Sequence, residues 1–441
     1  MKSVVILGGG EAGFTIARGL EKKLKPTEAK ITLVDKRSHN VYQPFLAEVA
    51  SGAIDARHVQ VPFHQHLKRT DVVCAKVTGA SPDAKEVYLE NKDGDAWTLP
   101  YDILVVTLGA VTKTFPTPGI AENAVGLKSV EEAVCIRNKI IDNFNRVSSM
   151  YKDNPRRKKL LTFVVVGGGF SGAEGFAEMY DLATDMLKHY PTIDADELSF
   201  HLIEASDHIM PEIPQAESAW VIEQLEKRGA HVRLNTFVTS AEDGVVKTSA
   251  GDEFPTELIV WAAGSLANPV LKEMGLPLDE RGRLCCRTDM RVESPTRIYD
   301  DVFGCGDCTR IEDASGGGLP DGTCAPTAQH AMRQAKVLVE NVVNTIRGGK
   351  VETYYHANAG CVAGLGFGLG IFASGKKKLI VKGPLAWLAH RGYHGLALPT
   401  WERKLRVFGD WTGGFVLGRD MTPTVEGMEP RRFFQEFAVR P

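Results

Sequence analysis

The chain has 441 residues, a length that favours two or three folded domains over a single one. Hydrophobic residues make up 43% of it and charged residues 24%, which is typical of a folded soluble protein. The formal net charge of −3 argues against a general nucleic-acid-binding protein, and eight cysteines in a chain of this length do not make a disulfide framework. The first residues run directly into a strand pattern, so we expect no secretory signal and a cytoplasmic location.

Two segments of the chain share one pattern: a short apolar strand, a glycine-rich turn, a helix, and a second strand that ends in an acid. The acid is Asp35 in the first copy and Glu204 in the second. The glycines of the first turn are Gly8, Gly10 and Gly13, and those of the second turn are Gly167, Gly169 and Gly172. This order of features predicts a dinucleotide-binding βαβ unit in each segment.

Each residue type in the pattern has a task in binding a dinucleotide. The first glycine permits a tight turn, the second lets the backbone approach a pyrophosphate, and the third lets the helix pack closely on the strand. The pyrophosphate lies at the helix N-terminus, where N–H groups and the helix dipole favour negative charge. Asp35 and Glu204 are expected to accept hydrogen bonds from ribose hydroxyls. Glycine-rich turns that bind nothing are the alternative, and the complete pattern in both copies argues against it.

Three further strand ends resemble motifs of the two-dinucleotide flavoproteins. Gly304 to Asp307 is similar to their glycine–aspartate motif, in which the aspartate binds the ribityl chain of FAD. Gly109 and Gly264 end strands that are similar to the two crossovers between the FAD and NAD domains. The resemblance implies that FAD binds at the first unit and a nicotinamide cofactor at the second. Because a carboxylate at Glu204 would repel a 2′-phosphate, we expect NADH rather than NADPH.

Four segments are similar to the type II NADH dehydrogenases, which are single-chain NADH:quinone oxidoreductases that pump no protons. These segments are residues 40–54, 167–174, 325–329 and 392–418, so the resemblance spans nearly the whole chain. It implies that NADH reduces FAD and that FAD then reduces a membrane quinone. It also implies that Glu174 lies near the flavin and nicotinamide rings. An ordinary acid in the first turn of a helix is the alternative for Glu174.

The quinone motif of that family places two glutamines four positions apart on one helix. Gln329 matches the first glutamine, while Arg333 occupies the place of the second and Gln334 is displaced by one residue. One residue turns a side chain by about 100° around a helix, so we expect Gln334 on a different face. The resemblance implies a quinone contact at Gln329, for which an ordinary helix-start glutamine is the alternative. Arg333 either hydrogen-bonds a quinone carbonyl or indicates a different acceptor.

Cys305 and Cys308 form a C-x-x-C pair around the aspartate that is expected to bind FAD. A redox-active pair would indicate a disulfide reductase, but this one lies at the wrong end of the chain for glutathione-reductase-like enzymes. Sulfide:quinone reductases also resemble this fold and use cysteines near the flavin, so cysteine chemistry is an open alternative. We expect buried or incidental thiols, and no metal site, because no second pair stands at ligand spacing.

The last part of the chain interleaves aromatic residues with arginines and lysines, from Trp387 to Arg419. A helix with aromatic anchors and basic flanks lies in the bilayer interface, and a quinone with an isoprenoid tail requires such docking. We therefore expect a peripheral protein that docks on the cytoplasmic side of a membrane. A helix pair that packs on the FAD domain or forms a homodimer is the alternative.

Together these patterns predict an α/β protein with two Rossmann-like dinucleotide-binding domains and a C-terminal membrane-docking segment. We expect the FAD domain at residues 1–116 and 266–344, interrupted by the NADH domain at 117–265, with the docking segment at 345–441. The expected reaction is FAD-dependent oxidation of NADH with two-electron reduction of a quinone. Two other functions are open. One is a soluble NADH-dependent flavoprotein reductase with another acceptor, which is a ferredoxin, a thiol or a sulfide-linked compound. The other is a low-turnover flavin redox sensor.

Overall fold

The computed structural model describes residues 1–316, 318–357, 359–375 and 379–423 of the chain. These residues fall into two compact units. The first unit comprises Met1–Tyr42, Gln60–Val111 and Ser265–Ala359, and the second comprises Gln43–Val59, Thr112–Gly264 and the described part of Gly360–Pro441.

The described residues contain 26 strands and eleven α-helices. The strands are β1 (Lys2–Leu7), β2 (Ala29–Asp35), β3 (His39–Val41), β4 (Gln60–Pro62), β5 (Thr70–Cys74), β6 (Lys76–Ser81), β7 (Glu86–Glu90), β8 (Ala96–Pro100), β9 (Ile103–Val106), β10 (Ala110–Thr112), β11 (Ala124–Val125), β12 (Thr162–Val166), β13 (Ser199–Ile203), β14 (His231–Arg233), β15 (Val238–Glu242), β16 (Val245–Thr248), β17 (Glu253–Pro255), β18 (Leu258–Trp261), β19 (Ser265–Ala267), β20 (Leu284–Cys285), β21 (Arg291–Glu293), β22 (Ile298–Gly304), β23 (Thr309–Arg310), β24 (Gly360–Gly364), β25 (Gly370–Ser374) and β26 (Ile380–Lys382). The helices are α1 (Glu11–Lys23), α2 (Leu46–Ala50), α3 (Phe63–His66), α4 (Ile120–Asn123), α5 (Val130–Ser148), α6 (Arg156–Leu160), α7 (Phe170–Leu187), α8 (Gln215–Lys227), α9 (Ala328–Arg347), α10 (Pro384–Ala397) and α11 (Trp401–Leu417).

The first unit is built on a six-stranded sheet with the strand order β21–β22–β9–β1–β2–β5. Strands β22, β9, β1, β2 and β5 run parallel, and β21 is an antiparallel edge strand. Strand β1 lies inside this sheet, so it is fully buried and apolar from Val4 to Leu7. Helix α1 packs on α9, because the missing side chain of Gly19 leaves room for Val339. The predicted β1–α1–β2 unit is present.

The second unit repeats this arrangement on a five-stranded parallel sheet with the order β11–β18–β12–β13–β14. The predicted unit of β12, α7 and β13 lies at its centre, and β12 is buried throughout. Two antiparallel sheets of three strands, β15–β16–β17 and β24–β25–β26, belong to the same unit. Helix α10 packs on β24 and β25. The predicted α/β fold with two Rossmann-like units is therefore confirmed.

The second unit also contains chain segments that are distant from its sheet in sequence. Helix α2, which follows the first βαβ unit, packs on α5 and α7. Residues 43–59 and the described part of the chain after residue 360 therefore join the inner Rossmann unit. The domain boundaries expected from the sequence stay a prediction, because a compact unit is defined by contacts and a cofactor domain by what it binds.

The glycine turn of the first unit allows a test of packing. A methyl group at Gly13 would lie 1.8 Å from the carbonyl oxygen of Gly8, whereas one at Gly10 meets no heavy atom within 4 Å. We expect Gly13→Ala to lower the free energy of unfolding by about 2 kcal/mol or more, because α1 must move off its strand. Gly10→Ala is the matched control and should change it by less than about 0.5 kcal/mol. Urea denaturation of the cofactor-free proteins measures both, and equal losses would contradict the packing argument.

Candidate dinucleotide and acceptor sites

The two glycine-rich turns have the same geometry. Gly8 has a φ of +96° and Gly167 a φ of +103°, angles that residues with a side chain rarely adopt. A methyl group at Gly172 would lie 1.8 Å from the carbonyl oxygen of Gly167, which repeats the close approach at the first turn. At the middle glycines, Gly10 and Gly169, an added methyl group meets no heavy atom within 4 Å. Each turn thus leaves bare backbone beside a helix N-terminus, where a pyrophosphate fits.

The acids at the ends of β2 and β13 are fixed by those turns. An oxygen of Asp35 accepts a hydrogen bond from the amide of Gly9 at 2.6 Å. An oxygen of Glu204 accepts one from the amide of Gly168, also at 2.6 Å. In each acid the second oxygen accepts from the amide two residues further along the chain, at 2.8 Å. Both carboxylates are therefore held beside the turn, and their remaining lone pairs suit ribose hydroxyls.

The predicted crossover strands end next to the same turns. In the first unit, the Thr107 hydroxyl at the end of β9 donates to the carbonyl oxygen of Gly8 at 2.8 Å. In the second unit, the backbone of Ala262 after β18 lies where a side chain on Gly167 would be. Gly109 and Gly264 follow these contacts with φ of +65° and +100°. Each crossover glycine thus lies just beyond the strand that supports a turn.

Glu11 lies between the second and third glycines of the first turn. No role for it was predicted from the sequence. Burial raises the pKa of its carboxyl to about 8, although the nearby Asn40 amide lowers it in part. Among the described residues, the Oε1 atom of Glu11 has no hydrogen-bond partner. A neutral carboxyl with an unpaired buried oxygen suits a place beside a pyrophosphate, because it adds no negative charge there.

The glycine–aspartate motif is held by helix α9. Strand β22 ends at Gly304, and Gly306 and Asp307 line a small pocket with Thr309. The amide of Gly306 donates to the side-chain oxygen of Gln334 at 2.8 Å, and Gln334 is only 2% exposed. Gln334 therefore lies on the buried face of α9, as its displacement by one residue predicts. Its link to the motif is a contact that sequence reasoning missed.

The outer face of α9 carries Gln329 and Arg333 together. The side-chain oxygen of Gln329 lies 3.0 Å from Nε2 of His356. The guanidinium of Arg333 contacts the same Nε2 atom. On the neighbouring position of the helix, Nδ1 of His330 lies 2.9 Å from the hydroxyl of Tyr354. The structure thus brings the two candidate quinone residues into one cluster with His356, which no sequence motif indicated.

Glu174 is held by the C-terminal part of the second unit. Its Oε1 atom accepts a hydrogen bond from the amide of Gly364 at 3.0 Å and forms an ion pair with Nε2 of His390 at 3.3 Å. Burial alone would lower the pKa of His390, but the carboxylates of Glu174 and Glu48 raise it above its ordinary value. The imidazole is therefore stabilised in its charged form, as a partner for Glu174.

A buried charge network extends from this pair and joins α2, α7 and α10. The Ser51 hydroxyl donates to Glu178 at 2.6 Å, and Arg419 lies 3.5 Å from the same carboxylate. Glu48 pairs with Arg391 at 3.4 Å. Burial raises the pKa of the Glu48 carboxyl despite that arginine. This network fixes the surroundings of Glu174 and was not predicted from the sequence.

The cysteines show no sign of redox pairing. All eight are free, and both Cys305 and Cys308 are buried. Burial raises the pKa of the Cys305 thiol well above its usual range and that of Cys308 to about 11. Since the thiolate is the nucleophile, both groups are poor nucleophiles near neutral pH.

Comparison with known proteins points to one family. A family model described as pyridine nucleotide-disulphide oxidoreductase matches residues 2–335. A type II NADH:quinone oxidoreductase of Haemophilus influenzae is 30% identical, with 88% of this chain and 92% of that protein covered. One of Staphylococcus aureus is 29% identical, with 83% and 88% covered. The solved structure of NDH2 from Plasmodium falciparum in complex with NADH shares the fold: it matches 96% of this chain and 99% of that one with a TM-score of 0.86, at 19% identity.

The ion pair between His390 and Glu174 predicts a pH-dependent stability. The folded state raises the pKa of His390, so it binds that proton more tightly than the unfolded state does. This stabilisation is complete below the unfolded pKa of about 6.5 and is lost as the pH rises through the higher folded pKa. We therefore expect the difference in urea midpoint between wild type and His390→Gln to be larger at about pH 6 than at about pH 9.

The matched control is His189→Gln, since His189 is exposed in the turn that follows α7. It should give the same small difference at both pH values. A difference for His390→Gln that does not change with pH would contradict the ion pair.

Proposed function

The chain belongs to the pyridine nucleotide-disulphide oxidoreductases and, within them, to the type II NADH:quinone oxidoreductases, and we infer that it oxidises NADH by way of FAD and reduces a quinone. FAD, when bound, would supply the redox chemistry: it would accept a hydride from NADH and a proton, and the two electrons and two protons would then pass to the quinone to give the quinol. The observation that carries this function is the pair of matched turns, each with a fixed acid, in a chain that also clusters Gln329 with Arg333.

We assign one cofactor to each turn. The proposed FAD-binding residues are Gly8, Gly10, Gly13, Asp35, Gly109, Gly304 and Asp307, and the proposed NADH-binding residues are Gly167, Gly169, Gly172, Glu204 and Gly264. The bare backbone at Gly10 and Gly169 supports both assignments. The unpaired oxygen of Glu11 supports a ligand at the first turn. We also propose that the cofactor domains follow the boundaries expected from the sequence.

We propose that Glu174 lines the place where the nicotinamide ring meets the flavin. Hydride transfer requires no general base. The task of Glu174 is therefore to position the rings and to set the charge beside them, and not to move a proton. An acid that only stabilises a helix end would face solvent. The side chain of Glu174 is instead 14% exposed and held by Gly364 and His390, two residues outside its own helix.

We propose that Gln329 and Arg333 contact a carbonyl of the quinone. A quinone carbonyl accepts hydrogen bonds, and both side chains carry N–H donors. They lie four residues apart on the outer face of α9 and share His356 as a neighbour. Arg333 therefore takes the place of the second glutamine in the family motif. A soluble reductase with another acceptor, or a redox sensor, would need no such pair.

We propose that the protein docks peripherally on the cytoplasmic face of a membrane through α10 and α11. Within the described residues, no helix is both long and apolar enough to cross a bilayer. Both helices expose large apolar side chains along their length. Exposed apolar patches of this kind mark binding surfaces on proteins. The large apolar side chains of these helices that are more than half exposed are Leu385, Leu388, Leu396, Trp401, Leu405, Phe408, Phe415, Val416 and Leu417. The other use of this surface is a homodimer contact.

The reaction itself is tested with purified holoprotein, NADH and a short-chain ubiquinone or menaquinone analogue. We expect fast quinone-dependent oxidation of NADH that lipid stimulates. If NADH bleached the flavin and quinone failed to reoxidise it, the quinone half of the function would be wrong and the hydride half would stand.

Glu204 is expected to select NADH over NADPH. Its carboxylate is fixed at the second turn, where it would repel a 2′-phosphate. Glu204→Gln keeps a hydrogen-bond acceptor without the charge, so we expect kcat/KM for NADPH to rise roughly tenfold relative to NADH. Asp35→Asn is the matched control: it should weaken FAD retention and leave the ratio unchanged. An unaltered ratio in Glu204→Gln would contradict this role.

The docking surface is tested by placing charges on it. Leu405 is 70% exposed and Phe408 is 66% exposed, and burial of each in lipid contributes about 1.5–3 kcal/mol. We expect Leu405→Glu with Phe408→Glu to reduce binding to anionic lipid vesicles by about tenfold or more. Phe237→Glu, at an exposed phenylalanine outside these helices, is the control. If the double variant bound vesicles normally but changed sedimentation from dimer to monomer, the surface would be a dimer contact instead.

A further inference from the structure

The segment that follows α9, residues 351–357, turns back along this helix and is held at defined points. The side chain of Asn341 donates to the carbonyl of Glu352 at 2.8 Å and accepts from its amide at 2.7 Å. The amide of Tyr354 donates to the carbonyl of Thr288 at 2.7 Å, and the Tyr354 side chain is buried. These bonds fix the path of the segment before it reaches His356.

His356 lies within reach of both candidate quinone residues. Its Nε2 atom is 3.0 Å from the side-chain oxygen of Gln329 and contacts the guanidinium of Arg333. Residues four apart on a helix lie on the same face, so one ring can bridge them. We propose that His356 is a positioning residue of the quinone site, holding Gln329 and Arg333 in the orientation that presents their N–H donors to one carbonyl. This inference rests on the quinone contacts proposed above.

The chemistry of the three groups suits a bridge. Nε2 of a neutral ring serves one partner at a time: with the proton on Nδ1 it accepts from Arg333, which has only donors, and with the proton on Nε2 it donates to the oxygen of Gln329. In the second state the amide oxygen of Gln329 accepts from the ring, so its NH2 group points away from His356. Burial, then Arg333 and His330, lower the pKa of His356, which keeps the ring neutral beside a cation.

A purely structural task for His356 is not needed, because other residues anchor the segment. Asn341 and Tyr354 hold its backbone, and His330 meets the Tyr354 hydroxyl from the helix at 2.9 Å. The polar contacts of His356 instead go to Gln329 and Arg333. Its loss should therefore alter quinone binding and leave the fold and the NADH reaction intact.

Two substitutions that differ by one methylene group test this position in the full-length holoprotein. In His356→Gln the amide reaches about as far as Nε2, so the contact with Arg333 is retained. In His356→Asn the amide ends near the place of Nδ1 and does not reach. We expect His356→Asn to raise KM for a short-chain ubiquinone analogue about tenfold, the loss of roughly one hydrogen bond to a charged group, and His356→Gln to stay within about twofold.

Flavin reduction by NADH, followed anaerobically by stopped flow, should proceed at the wild-type rate in both variants, with unchanged FAD content. His189→Gln, at an exposed histidine of the second unit, is the control for loss of an imidazole. Equal KM values for the Asn and Gln variants would overturn the proposal, and so would a slower NADH reaction or loss of FAD in His356→Asn.

Gln329→Leu and Arg333→Met separate this inference from the proposed function. If neither raised KM for the quinone, the quinone contacts themselves would be wrong. If both raised it while His356→Asn did not, only the positioning role would fail. In the double variant His356→Asn with Arg333→Met, we expect no loss beyond that of Arg333→Met alone, because the bridge has then lost its partner. Additive losses would contradict the bridge.

Discussion

The structure depends on the close approach of a helix to its own strand at two glycine-rich turns. In each turn the third glycine lies against the carbonyl of the first, and no larger residue fits there. This approach directs the helix N-terminus towards the turn and brings an acid from the next strand onto a turn amide. The bare backbone of the middle glycine is then the surface where we propose that a dinucleotide binds. The proposed cofactor binding therefore depends on a packing constraint.

The parts of the site that were predictable from the sequence are those set by short spacings. The glycines and their acids lie within a single βαβ unit, and helical geometry alone separates Gln334 from Arg333. The α/β fold, the family and both cofactors are confirmed. The missed residues meet their partners across long stretches of chain: Gln334 reaches Gly306 over 28 residues, and His356 reaches Gln329 over 27. Neither pairing leaves a periodic pattern, so only the tertiary structure shows it.

The buried charges of the second unit could not be predicted from the sequence for the same reason. Glu48, Glu178 and Arg419 come from three distant segments and meet among apolar helices. Taking such groups out of water is costly, and the cost is offset only when partners are well placed. A network of this kind selects one arrangement of α2, α7 and α10, since any other leaves an unpaired charge. It gives Glu174 a fixed environment that its own helix could not provide.

The pairing of β9 with β22 has a consequence for biosynthesis. Leu104 pairs with Val302, and the five-stranded parallel sheet of the second unit lies between these residues in the chain. During translation, β9 cannot pair with β22 until the parallel sheet within residues 112–264 has been synthesised. Contacts of such long sequence separation form slowly, and the incomplete sheet edge is exposed meanwhile. The glycine–aspartate motif follows β22, so the nascent chain completes the proposed flavin site only after most of its length has been translated.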